Sequence, residues 1–192
     1  MEMFDVRTPQ GDPTGEVKER SAVHRDGDWH GTAHIWLVRR REGRIELLLQ
    51  KRSRTKESFP GCYDTSCAGH LSAGDTFLEA ALRELEEELG IAASGEELYF
   101  AGIYPCQVDD YFGGKHILDR EISAVYLYEK PVNEADLRLQ AEEVESVCWI
   151  VDGTPFGRDV LKELAAAGAE GYCIFPWETS ALESAFQRRY GI

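Results

Sequence analysis

The chain has 192 residues, of which 43% are hydrophobic, 29% charged and 10% aromatic, the make-up of a folded domain rather than a disordered or fibrous chain. Its 21 basic and 35 acidic side chains leave a formal charge of −14, a field that repels phosphate backbones and sets aside long nucleic acids and anionic membranes as partners. A small phosphorylated ligand stays admissible, because a divalent cation can invert that field locally.

One domain is expected over residues 1–192, with 1–22 as an N-terminal strand/turn extension and about 155–192 as a C-terminal helical part. Met1 to Arg20 carries no apolar leader pattern, and no apolar run approaches the ~20 residues needed to span a bilayer. Cys62, Cys67, Cys106, Cys148 and Cys173 are odd in number and lack C-x-x-C spacing, so they read as reduced thiols rather than disulfides or a zinc site. Together these features point to the cytoplasm.

In chain order, Phe4–Val6 and Thr14–Val17 read as short strands around the turn formers Gly11-Asp12-Pro13. His34–Val38 and Ile45–Gln50 form a hairpin through Arg39–Arg44, with Gly43 at the turn. Ser53–Asp64 is a loop whose firmest turn is Phe59-Pro60-Gly61. Thr76–Leu89 is a helix with Leu78, Ala81, Leu82, Leu85 and Leu89 on one stripe, a Thr76/Glu79 capping box and Gly90 as its stop. Tyr99–Tyr104, Glu121–Tyr128 and Val147–Val151 are further strands, and Cys106–His116 reads as a loop. Asp159–Ala167, ended by Gly168, and Glu178–Tyr190 are helical. Strands interleaved with two or three helices predict an α+β or α/β sandwich.

The first of these helices carries the chemistry. Glu84, Glu87 and Glu88 fall within an arc of about 100° opposite the apolar stripe. Carboxylates at i, i+3 and i+4 repel one another, so helix stability does not account for them. Convergent oxygens suit a hard cation such as Mg²⁺, although on charge alone a solvated acidic face explains the pattern as well.

The surrounding segment Gly69–Ile91, GHLSAGDTFLEAALRELEEELGI, resembles the signature box of the Nudix superfamily. Gly69, Arg83, Glu84, Leu85, Glu87, Glu88, Gly90 and Ile91 match it in register, and Asp75 stands where the family has glutamate. The resemblance implies a Nudix fold, a mixed β-sheet sandwiched between helices (α/β/α). It also implies Mg²⁺ or Mn²⁺ held by Glu84, Glu87 and Glu88, with Arg83 positioning the carboxylates. One glutamate, in the box or on a later loop, would act as general base in attack of water on a diphosphate.

Beyond the box the chain looks most like the type I isopentenyl-diphosphate isomerases and related hydrolases. That likeness maps diphosphate grips onto Arg52 and Lys56, an aromatic onto Trp177, and metal ligands onto His30, His70, Asp119 and Glu121, with His24 offset by about one residue. Glu121 doubles as a catalytic group and metal ligand by the same likeness. His34 reads as a hydrogen-bonding strand histidine, and which of the four histidines binds a second metal stays open. The isomerase cysteine is replaced by Ala68, and neighbouring Cys67 should face the opposite way on extended backbone.

A full glutamate trio beside a displaced cysteine favours hydrolysis of a phosphoanhydride, in a nucleoside diphosphate or a nucleoside diphosphate linked to another group. The alternatives are an isomerase-like enzyme and a non-catalytic Nudix-fold binding module. Tyr111, Phe112 and Trp177 would stack on a nucleobase or line a prenyl site. Whether the tail after Pro155 packs on its own subunit or builds a homodimer is left open.

Overall fold

The computed structural model describes residues 2–56, 58–112, 114–152 and 171–191, with the side chains of Phe112 and Lys115 excepted. The helix expected over Asp159–Ala167 and the proposed stacking role of Phe112 lie outside the described residues.

Strand β3 (Trp29–Arg41) organises the sheet. Its residues 29–37 run parallel to β8 (Lys115–Tyr128), residues 32–35 pair antiparallel with β6 (Cys67–His70), and residues 38–41 turn into β4 (Arg44–Arg52). The turn between β3 and β4 uses Glu42 and Gly43, both at positive φ (52° and 76°), the left-handed pair that tight hairpins require. Strands β5 (Tyr63–Asp64) and β9 (Val144–Asp152) pair with β4, and β7 (Leu98–Phe112) flanks β8. The hairpin of β1 (Met3–Arg7) and β2 (Pro13–Glu19) joins β3 through Arg7 and Trp29.

The two-residue period of β3 and β8 sorts their side chains into two cores. Ala33, Ile35, Leu37, Ala124 and Tyr126 pack beneath α2 (Phe77–Leu89). Trp36, Val38, Val125 and Leu127 pack beneath α3 (Pro176–Tyr190), which contributes Ala181, Leu182, Ala185 and Phe186. The result is the expected mixed sheet between helices, and α3 packs on its own chain.

The structure alters three of the expectations. Helix α1 (Arg20–Asp26) follows β2, where the sequence predicts a strand/turn extension to residue 22 and no helix; it buries a single apolar residue, Val23, too few for a periodic signal. The segment Cys106–His116 is the distal part of the β7–β8 hairpin rather than a loop, its ladder running out to Phe112 and Lys115. On α2 the buried face holds Ala80, Ala81, Leu85, Glu88 and Leu89, whereas Leu78 is 36% exposed. The buried stripe is therefore rotated so that one carboxylate enters the interior. Among the described residues no helix is long and apolar enough to cross a membrane.

Candidate active site

Helix α2 begins with the expected capping box. The Thr76 hydroxyl accepts the Glu79 amide at 3.2 Å, and the Glu79 carboxylate accepts the Thr76 amide at 2.9 Å. Gly90 ends the helix in the left-handed conformation (φ 72°). This fixed segment sets three carboxylates at graded depth: Glu87 exposed, Glu84 half-buried and Glu88 only 4% exposed.

Arg83 braces them. Its guanidinium pairs with Asp75, donates to the His70 carbonyl at 2.8 Å and reaches Glu84 Oε1 at 3.2 Å. Asp75 also accepts the Ser72 amide at 3.2 Å, so the shorter acid spans the distance to Arg83 and is itself held. Gly69 is explained by close approach: a Cβ there would fall inside the Glu84 carboxyl group.

Burial, reinforced by Glu84, pushes the Glu88 carboxyl up to about 8, and burial also raises Glu84, partly offset by Arg83. Glu87 raises Glu84 and Glu84 raises Glu88, a mutual repulsion that a metal cation held among them would relieve. Cys67, fully buried on β6, packs against Glu88 and is pushed well up by burial, as an inert thiol should be. The thiols that do line the cleft are Cys106 and Cys173.

A second cluster lies across the cleft. His24 from α1, His30 from β3 and His70 at the end of β6 bring ligand atoms within 4.8 Å of one another, and His30 does the same with Asp119 and Glu121 of β8. Phe4, fully buried on β1, stacks on His30 (5.3 Å, 11°) and His70 (4.9 Å, 10°) and fixes the planes of both rings. His30 directs Nδ1 at the Asp28 carbonyl (3.1 Å), which turns Nε2 toward the cluster.

The Nε2 atoms of His24, His30 and His70 and Oδ1 of Asp119 are all buried without a hydrogen-bond partner among the described residues. Four orphaned polar atoms in two adjoining groups that share His30 are the arrangement a bound cation resolves. Burial lowers all three histidines, His24 to about 4, so they face the site as neutral ligands. Burial and the neighbouring Glu121 raise Asp119 to about 8. Glu121 is lowered, because His34 outweighs the effect of burial.

Both clusters open into one cleft of about 910 Å³, which Arg52, Lys56 and Trp177 also line. Arg52 is fastened into the wall, donating to Asp64 at 3.0 Å and to the Ser58 carbonyl at 3.1 Å. Lys56 is paired with Glu143. Trp177 meets His34 edge-on at 5.4 Å. Arg83 stands behind Glu84, and Tyr111 sits 69% exposed near the hairpin tip.

Two acids escaped the sequence reading. Glu143 lines the cleft and acts electrostatically on Glu84 and Glu88, but in sequence it is only one of an acidic pair ahead of β9 with no motif around it. Glu178 is 1% exposed at the start of α3, where Pro176 and a following acid mark only a helix start.

Comparison with known proteins bears on the family and the fold. The NUDIX domain family model matches residues 28–151. A curated "Nudix hydrolase 3" of Arabidopsis thaliana is 44% identical over 153 residues, covering 78% of this chain, although the chain spans only 19% of that protein. An uncharacterized Nudix hydrolase of Clostridium acetobutylicum is 39% identical over 157 residues, 82% of this chain and 73% of the relative. Among solved structures, the DR0079 protein of Deinococcus radiodurans superposes with a TM-score of 0.62 at 20% identity, covering 98% of this chain and 99% of that one. The NUDIX domain of Shewanella oneidensis NrtR, complexed with ADP ribose, gives 0.53 at 13% identity over 83% of this chain and 86% of that one.

Proposed function

The chain belongs to the Nudix family of hydrolases, and on that footing we propose that it cleaves the diphosphate linkage of a small molecule, a nucleoside diphosphate or a nucleoside diphosphate joined to another group, with Mg²⁺ or Mn²⁺. The observation that carries this reading is the braced carboxylate trio of α2 opening into a cleft that also presents Lys56. Glu84, Glu87 and Glu88 would hold the ion. When bound, it neutralises charge on the phosphoryl oxygens and eases ionisation of an attacking water.

The chain's own groups do the rest. Arg83, anchored on Asp75 and the His70 carbonyl, fixes Glu84 in the place that Gly69 leaves open. Glu143, near enough to act electrostatically on Glu84 and Glu88, would take the proton of water as it attacks phosphorus in line, the phosphorus–oxygen bond to the leaving group breaking opposite. Lys56 trades its Glu143 partner for a phosphate oxygen, while Arg52, bound on two sides, shapes the wall. Trp177 offers an apolar plane to the group beyond the diphosphate. The nucleoside assignment leans on analogy with the NrtR domain that binds ADP ribose.

A second reading, isomerisation of a prenyl diphosphate, is favoured by one observation, the histidine–carboxylate cluster with Trp177 nearby. Against it stand the complete glutamate trio and the turning of Cys67 toward Glu88. Release of phosphate or nucleoside monophosphate from a panel of nucleoside diphosphates and their conjugates with Mg²⁺ is the expected result. Conversion of isopentenyl diphosphate to its dimethylallyl isomer, with no release from the panel, would overturn the reading.

A further inference from the structure

His34 is used by neither ligand cluster, yet it sits between them and α3. Its Nδ1 lies 3.0 Å from Glu178 Oε1, and its Nε2 lies 3.9 Å from Glu121 Oε2. Glu178 is also engaged through its other oxygen, which accepts the Phe175 amide at 2.8 Å. Glu121 is divided in the same way. Its Oε2 faces His34 and the Thr32 hydroxyl (3.5 Å), while its Oε1 faces His70 Nε2 at 3.9 Å.

Strand periodicity makes this arrangement possible. His30, Thr32 and His34 share one face of β3, and in parallel register they stand beside Glu121, Ser123 and Val125 of β8. Trp177 closes over His34 from the residue adjoining Glu178 on α3, and the Glu178 side chain is buried.

We propose that Glu178 and His34 form a positioning relay, in which helix α3 fixes His34, His34 fixes Oε2 of Glu121, and Oε1 is thereby presented to the cation cluster of His24, His30, His70 and Asp119. The relay goes beyond the hydrolase reading, whose ion sits on Glu84, Glu87 and Glu88: it concerns the second cluster and makes the N-terminus of α3 part of that cation site although it supplies no ligand. Carboxylate ligands held by partners of this kind lose about 10- to 100-fold in metal affinity when the partner is removed.

The test is a titration of the full-length, metal-stripped protein with Co²⁺, followed by its visible absorbance. His34→Phe, which keeps the ring against Trp177, should weaken cobalt binding about 10- to 100-fold. Glu178→Gln should weaken it less, since an amide oxygen still accepts the Phe175 amide. The double variant should bind no worse than His34→Phe alone, because the second change acts through the first. If His34→Phe fails to fold, His34→Gln restores a donor toward Glu121 and should stay within a few-fold of wild type.

Unchanged cobalt affinity in folded His34→Phe, independent and additive losses in the double variant, or a wild type that binds no cobalt would each overturn the relay. Hydrolysis is read separately with Mg²⁺. A protein that binds Co²⁺ with the expected coupling but cleaves nothing sinks the hydrolase reading alone, and one that cleaves but shows no coupling sinks the relay alone.

Discussion

The two ligand clusters of the cleft are built by opposite strategies. Glu84, Glu87 and Glu88 come from little more than one turn of α2, and their supports Gly69, His70, Asp75 and Arg83 lie at the end of β6, in the loop that follows it and on the same helix. The other cluster draws His24, His30, His70, Asp119 and Glu121 from α1, β3, β6 and β8, with Phe4 of β1 behind the rings. The first is graded from exposed to buried and brackets its ligands with charge. The second is held by ring stacking and strand register, and it depends on the N-terminal hairpin staying in place. A local motif survives many changes elsewhere in the chain, whereas an assembled one fails when any of several elements shifts.

The largest expected effect comes from the local cluster. Glu87→Gln and Glu88→Gln should each lower turnover with Mg²⁺ by about 10²–10³-fold, the scale of losing one preorganised electrostatic group. Their folds should survive, as circular dichroism would show. Glu88→Gln also carries a pH signature. Its carboxyl is raised in the folded chain from an ordinary value of 4.5 to about 8, so the folded state binds the extra proton across that window. The metal-free wild type should therefore lose stability as pH climbs through it, and Glu88→Gln should make that part of the melting profile shallower, with Asp119, also raised to about 8, supplying the slope that remains. A wild-type rate in either variant, or a pH slope as steep in Glu88→Gln as in the wild type, would break the assignment of the trio.

The assembled cluster is probed through Phe4. Removing a fully buried phenylalanine costs about 3–5 kcal/mol, so Phe4→Ala is expected to melt much earlier. Phe4→Leu keeps most of the volume and isolates the question. It should weaken Co²⁺ binding while leaving the Mg²⁺ dependence of hydrolysis within about twofold, the test of whether the two clusters are separable. Equal loss of both would show that the N-terminal hairpin supports the whole cleft.

That separation also governs what the sequence disclosed. The box from Gly69 to Ile91 is contiguous, so its helix, caps and carboxylate face could be read from spacing, and its Arg83 brace from the resemblance to the Nudix signature. Alternating strands were legible for the same reason, as in Glu121–Tyr128. The histidine cluster was visible only as scattered candidates, because its geometry is set by the parallel pairing of His30 with Glu121 and by an α1 helix with one buried apolar residue. Glu178 was hidden by distance, 144 residues from its partner His34. The far end of the β7–β8 hairpin was misread because Asp109, Asp110 and Tyr111 are all exposed, so no side of the strand carries an apolar signal.

The smallest expected effect concerns the one departure from the family box. Asp75 already contacts Arg83 and accepts the Ser72 amide, so the shorter acid performs the bracing that a glutamate would. Asp75→Glu should then change turnover by less than about twofold, because the added methylene only moves the same charge along the same guanidinium. Asp75→Ala should cost more, about 10-fold, since Arg83 keeps the His70 carbonyl and Glu84 but loses the partner that sets its angle. The ordering matters more than either magnitude. If Asp75→Glu improved turnover tenfold, Glu84 would be held off its working position in the native chain, and the local cluster would be as strained as the assembled one is delicate. If Asp75→Ala were silent, Arg83 would be orienting Glu84 through the His70 carbonyl alone, which ties the carboxylate trio to the β6 backbone that also carries a histidine of the other cluster.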